Sequence, residues 1–206
     1  MHLARLIRLY AGLVLFGVST ALMVRSELGL MAWSVLHEGL AGRTGLSIGV
    51  ITNLVGALVL LVWIPLRQRP GLGTISNVLV IGVAVDLSLW LIPELGNLAA
   101  RIALLLCGVV LNGFATAAYI SAGYGPGPRD GLTTGLVKVT GTSVRRARIG
   151  VEAAVLASGW LLGGTVGVGT LLHAVAIGPL MQMGLGAFAR SDAATAARQE
   201  PRAARP

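Results

Sequence analysis

The sequence predicts an all-α, polytopic membrane protein with about six transmembrane helices. They form two three-helix inverted repeats, each carrying a short re-entrant or interfacial helix. Three observations predict this. The 206 residues are 55% hydrophobic and 12% charged, with a mean hydropathy of +0.81; soluble domains are about 25% charged, so the chain lacks the polar surface to remain in water. Its apolar residues gather in runs approaching the roughly 20 that cross a bilayer. The chain also resembles itself at an offset of 96 residues.

The six runs are Leu6–Val24, Leu46–Leu66, Thr74–Ile92, Ile102–Ser121, Ile149–Gly164 and Thr170–Phe188. Pro65, Pro70 and Pro93 punctuate their ends, as helix stops do. The fifth run is the weakest, being short and containing Glu152. The first has the look of a signal peptide, with Arg5 and Arg8 ahead of it, but the same segment recurs in mid-chain. The single cysteine, Cys107, lies in an apolar run, which rules out a disulfide framework.

Cations set the orientation. There are 16 Lys+Arg against 8 Asp+Glu, a net charge of +8, and every cation but Lys138 is Arg. In a soluble chain such a balance points to nucleic acid. Here the cations fall between apolar runs and aromatics are only 5%, so no nucleic-acid partner is expected and the partner is the lipid bilayer. With the N-terminus inside, all cations but Arg25, Arg43 and Arg101 are cytoplasmic, the bias of cytoplasmic loops. Both termini are then cytoplasmic. The Ala-, Arg- and Pro-rich segment 191–206 reads as a disordered cytoplasmic tail.

Shifting the chain by 96 residues aligns Arg5–Leu87 with Arg101–Met183 without a gap. Gly29, Leu36, Gly39, Leu40, Thr44, Gly45 and Ser47 meet Gly125, Leu132, Gly135, Leu136, Thr140, Gly141 and Ser143; Gly71, Gly73 and Thr74 meet Gly167, Gly169 and Thr170. Biased composition does not preserve glycine spacing. The organisation is therefore a first membrane repeat over 1–96, a second over 97–190, and the tail. Three spans per repeat is an odd number, so the halves face opposite ways, as in many secondary transporters with sites at the repeat interface.

Between the first and second spans of each repeat lies a semi-polar stretch, LGLMAWSVLHEGLAGRTG at Leu28–Gly45 and YGPGPRDGLTTGLVKVTG at Tyr124–Gly141. Each holds about ten helix-compatible residues before a Thr-Gly stop, too few to cross a bilayer. Two re-entrant half-helices would aim N-terminal N–H groups at a central ligand; two interfacial helices would lie flat at each surface.

The GPGPRDGL run at Gly125–Leu132, WSVLHEGL at Trp33–Leu40 with TGLS at Thr44–Ser47, and PGLGT at Pro70–Thr74 resemble the bacterial YczE/YyaS/YitT-type integral membrane proteins over nearly the whole chain apart from the tail. The resemblance implies a multi-pass protein of a bacterial plasma membrane and little chemistry. It also implies a Pro-Trp-Asp run where this chain has Ala32-Trp33-Ser34, so Ser34, the mate of Asp130, leaves a symmetric carboxylate pair incomplete.

Charged groups inside a bilayer are costly, roughly 2.5–3.5 kcal/mol each on insertion scales, and mark function by default. Asp86, well inside the third run, is the leading candidate for ion or proton coupling; the structural alternatives are an arginine partner or contact with outer water. Glu152 follows Arg148 by four residues, an ion pair at the mouth of a short span. Asn77 and His173 occupy equivalent places and suit either a shared pathway or interhelical hydrogen bonds, as do Asn53 and Asn112. Asp130, after Arg129, suits a helix first turn or a solute contact. His37 and Glu38 point about 100° apart on a helix, a poor metal pair. The GLGT and GVGT turns match no phosphate loop, and Thr74 and Thr170 read as N-caps. No HExxH, zinc set or Ser-His-Asp arrangement is present. No enzyme activity, metal or cofactor is expected.

The leading expectation is a gradient-driven small-solute transporter or permease-like carrier, its short Gly-rich helices forming gates or solute contacts, with an unknown small solute or ion as cargo. The alternatives are a non-transporting accessory or regulatory protein that assembles with a partner, and a channel. Gly108, Gly113, Ala117 and Ala118 would allow close packing within one chain or in a homo-oligomer.

Overall fold

The structure, a computed structural model, describes residues 2–199 as eight helices joined by short turns. They are α1 (His2–Ser26), α2 (Ala32–Thr44), α3 (Ile48–Trp63), α4 (Leu72–Leu91), α5 (Leu98–Ser121), α6 (Pro128–Thr140), α7 (Val144–Leu161) and α8 (Val168–Gln199). The starts of α5, α6, α7 and α8 each lie 96 residues after those of α1, α2, α3 and α4. Helix, turn and helix therefore recur wherever the sequence does.

Local chemistry sets these boundaries. Gly45 and Gly141 close α2 and α6 at φ of 73° and 67°, the left-handed conformation that glycine adopts without strain. Ser47 and Ser143 then cap α3 and α7 through their hydroxyls. Thr74 and Thr170 are not N-caps. They sit two residues inside α4 and α8, their hydroxyl oxygens accepting from the N–H of Gly71 and Gly167 at 3.1 and 3.2 Å.

Among the described residues, four helices are long and apolar enough to cross a membrane: α1, α4, α5 and the Val168–Ala193 part of α8. The bent pair α2–α3, turning by 114°, makes up to five. The chain is thus a multi-pass, all-helical membrane protein. The second and fifth expected spans are the ones that differ. α3 stops at Trp63, three residues short of the expected end. α7 starts at Val144, so its first turns carry Arg145, Arg146 and Arg148. The tail differs as well: α8 runs on to Gln199 where disorder was expected from Ser191, and Asp192 accepts two hydrogen bonds from Arg8 on α1. Residues 200–206 lie outside the described residues.

α1 is the central helix, packed along α5 and α4, while α5 packs along α8. Small residues permit the approach: Gly108 lies so close to α1 that an added Cβ would stand 3.0 Å from the Ser19 carbonyl. Gly113 and Ala117 face α8 in the same way, toward Leu180 and Gly184. α1 and α5 run antiparallel. Arg5, near the start of α1, donates to the Ala122 carbonyl at the end of α5 at 2.9 Å, and its mate Arg101 donates to the Ser26 carbonyl at the end of α1 at 2.7 Å. A guanidinium there meets the unpaired carbonyls of a helix C-terminus. A second crossed pair joins Gly73 N–H to Tyr124 O and Gly169 N–H to Leu28 O, both at 2.8 Å. The outward faces carry large apolar side chains such as Leu58, Leu79, Trp90, Leu171 and Val175, a surface suited to lipid.

Candidate functional site

The short helices are not splayed on the surface. α2 packs against α7 and α3, burying Trp33, Ser34, Val35, His37 and Gly39; α6 packs against α3 and α7, burying Pro128, Gly131, Thr133 and Gly135. Gly131 makes room for the Trp63 ring, whose indole N–H donates to the Pro128 carbonyl at 3.0 Å. Each short helix is thereby wedged against the other half of the chain.

The first residues of α2 and α6 converge on a cavity of about 340 Å³, walled also by α1, α4, α5, α7 and α8. Neither short helix has a side-chain cap at its N-terminus, in contrast to α3, α5 and α7. Of the candidates named from sequence, Arg129, Asp130, Asn77, His173, Arg148 and Glu152 all line this space. These six come from four helices, α4, α6, α7 and α8, and from places up to about a hundred residues apart.

Arg129 is the dominant group. Its guanidinium lies 5.0 Å from the Trp33 ring centre and 5.9 Å from that of Phe16, with Nη1 3.9 Å from the Met31 sulfur. It makes no ion pair among the described residues. Trp33 and Arg129 are repeat mates, so equivalent positions of the two halves meet face to face. Asp130 is one residue on. Its carboxylate accepts from the Tyr119 hydroxyl at 3.3 Å and has no cationic partner within salt-bridge distance among the described residues. Asn77 presents an amide that hydrogen-bonds to nothing among the described residues.

The other polar groups are already paired. Arg148 Nε meets Glu152 at 3.1 Å, the ion pair expected four residues apart, with both side chains about half exposed. His173 Nε2 lies 3.1 Å from Asn112 Oδ1, Asn112 Nδ2 donates to Ser19 Oγ at 2.9 Å, and Ser19 donates to the Phe16 carbonyl. In that chain the histidine proton sits on Nε2, and the ring serves as an interhelical tie between α8 and α5. Asn53 likewise ties α3 to α4, accepting from the Gly82 N–H at 3.0 Å.

Asp86 is elsewhere. It does not line the cavity: its two oxygens take the Ser47 hydroxyl at 2.6 Å and the Gly49 N–H at 2.8 Å, both at the start of α3. A carboxylate is favoured there by the free N–H groups of the helix end, so the leading coupling candidate is a tie between α4 and α3. Ser34 is buried on α2 and also stands outside the cavity wall, as does Glu38, which accepts from the Thr165 N–H. His37 is buried with Nδ1 3.0 Å from Thr52 Oγ1. Thr52 gives its own proton to the Ile48 carbonyl, so His37 donates. Among the described residues no three His, Cys, Asp or Glu side chains gather to hold a metal ion.

Sequence reasoning missed the aromatic wall of Phe16, Trp33 and Tyr119. A signal for part of it was present in the repeat alignment, which pairs Trp33 with Arg129 and Phe16 with Asn112.

Residues 3–185 match a family of unknown function, DUF6198. The chain is 39% identical over 178 residues to an uncharacterized protein of Haemophilus influenzae, covering 86% of this chain and 82% of that one. It is 33% identical to the uncharacterized membrane protein YczE of Bacillus subtilis (85% and 83% covered) and 27% identical to the uncharacterized protein YyaS of the same organism (84% and 88%). No solved structure matches.

Proposed function

The chain belongs to the DUF6198 family, and we propose that it is a gradient-driven carrier of a small solute, built as six crossings in two opposed three-helix repeats. The central cavity carries this reading: both halves contribute to it, and the unpaired charges of the molecule's interior face it. The antiparallel run of α1 and α5 and the crossed Arg5 and Arg101 bonds support opposed repeats. In this topology both termini are cytoplasmic, the bilayer is the plasma membrane of a bacterium, and α2 and α6 enter from opposite faces as re-entrant half-helices. Their N-termini meet near the midplane, where transporters of this plan hold their solutes. The reading assigns the cavity binding and release, with no catalytic step, cofactor or metal.

The test is accessibility of the cavity from both sides. In a Cys107→Ser background, Thr116→Cys places a single thiol on the cavity wall. An impermeant maleimide is expected to label it in right-side-out and in inside-out vesicles, and a saturating solute to slow both reactions. Labelling confined to one face under every condition would describe a static pocket and contradict transport.

A further inference from the structure

The charge balance of the cavity narrows the class of solute, granting the carrier reading above. Four formal charges line it: Arg129, Arg148, Asp130 and Glu152. Arg148 and Glu152 neutralise each other at 3.1 Å. That leaves one cation and one anion, neighbours in the first turn of α6, neither in an ion pair. Arg129 lies against the rings of Trp33 and Phe16. Asp130 has only the Tyr119 hydroxyl, at a long 3.3 Å.

We infer that the cavity binds a small zwitterion of the amino-acid type, its carboxylate on Arg129 and its ammonium on Asp130. A simple anion would leave Asp130 without a counter-ion in a partly enclosed space, and a simple amine would leave Arg129 so; burying a charge without a partner is disfavoured. A zwitterion satisfies both and adds no net charge. The planar fork of Arg129 matches a carboxylate in two-point fashion, and the uncapped N-termini of α2 and α6 add donor groups on that side. Asn77 supplies a further amide. The apolar wall of Ile81, Leu156 and Ile177, with the aromatic rings, receives a hydrocarbon side chain, and about 340 Å³ accommodates one solute of amino-acid size.

The test uses the purified full-length protein in detergent and three matched sets: alanine, leucine and phenylalanine, each beside its deaminated acid and its decarboxylated amine. Thermal unfolding is followed with each. At least one amino acid is expected to raise the apparent Tm by about 3 °C or more near ten times its Kd, with its acid and amine inert at equal concentration. Arg129→Gln is expected to abolish the amino-acid effect and Arg129→Lys to keep part of it; Asp130→Asn is expected to abolish it and let the acid bind. Stabilisation of the unaltered protein by an acid or amine as strong as by its amino acid would overturn the inference, as would no stabilisation by any member. Both results are separable from failure of the carrier reading, which is decided by two-sided labelling of Thr116→Cys.

Discussion

Along α3 and α4 the first half of the molecule is closed by contacts among four residues, three of which differ in the second half. Gly49 and Gly82 bring the two backbones together, Asn53 accepts from the Gly82 N–H, and Asp86 grips the start of α3. Their mates are Arg145, Gly178, Ile149 and Gln182, and α7 and α8 barely touch. A Cβ at Gly82 would lie 2.2 Å from the Gly49 carbonyl, whereas one at Gly178 would meet nothing within 4 Å. Both halves keep the same helix starts, so side chains alone decide which helix pair is zipped and which is open. The unzipped pair borders the cavity through Arg148, Glu152 and His173. One duplicated sequence plan thus supplies both a closed wall and an open one, the two roles that the proposed carrier would exchange.

Substitutions at paired positions sharpen this contrast. The largest expected effect is Gly82→Ala, where an added methyl group has no space; overpacking of this kind destabilises by about 2 kcal/mol or more, read as a fall in apparent Tm and folded yield. Asp86→Ala comes next. Loss of two bonds at the start of α3 is expected to destabilise by about 1–2 kcal/mol, with solute-induced stabilisation retained. A variant that kept its Tm but lost solute response would return Asp86 to the pathway.

Gly178→Ala has the opposite sign. With open space around it in mid-helix, alanine is expected to stabilise by up to about 1 kcal/mol, and destabilisation there would mean that α7 and α8 close against each other. The smallest effect belongs to Glu152→Gln. A half-exposed i,i+4 pair contributes under about 0.5 kcal/mol, so apparent Tm should hardly move.

The comparison also separates what sequence can convey from what it cannot. Helix breaks were legible because they depend on local chemistry: the Thr-Gly stops at Gly45 and Gly141 and the glycine spacing at Gly71 and Gly167 act within a few residues. Asn77 and His173, paired across the repeat, both line the cavity, and His173 is also the interhelical tie that the sequence offered as an alternative. Asp86 stands apart from the cavity for a physical reason. Hydropathy marks the depth of a residue along a span, not the side of the helix that carries it, and Asp86 turns toward the N-terminus of α3. The aromatic setting of Arg129 was hidden because Phe16 lies on α1, more than a hundred residues away in the chain, and a phenylalanine in an apolar run carries no mark of its neighbour.

Opposed orientation of the two halves is the claim on which the shared cavity depends, and two exposed mates test it most directly. Leu46 precedes α3 and Thr142 precedes α7. With Cys107→Ser as background, single cysteines at 46 and 142 are exposed on intact cells to an impermeant maleimide. The account predicts labelling at 46 alone, with 142 reacting only once the cells are opened. Labelling of both from the same side would contradict it.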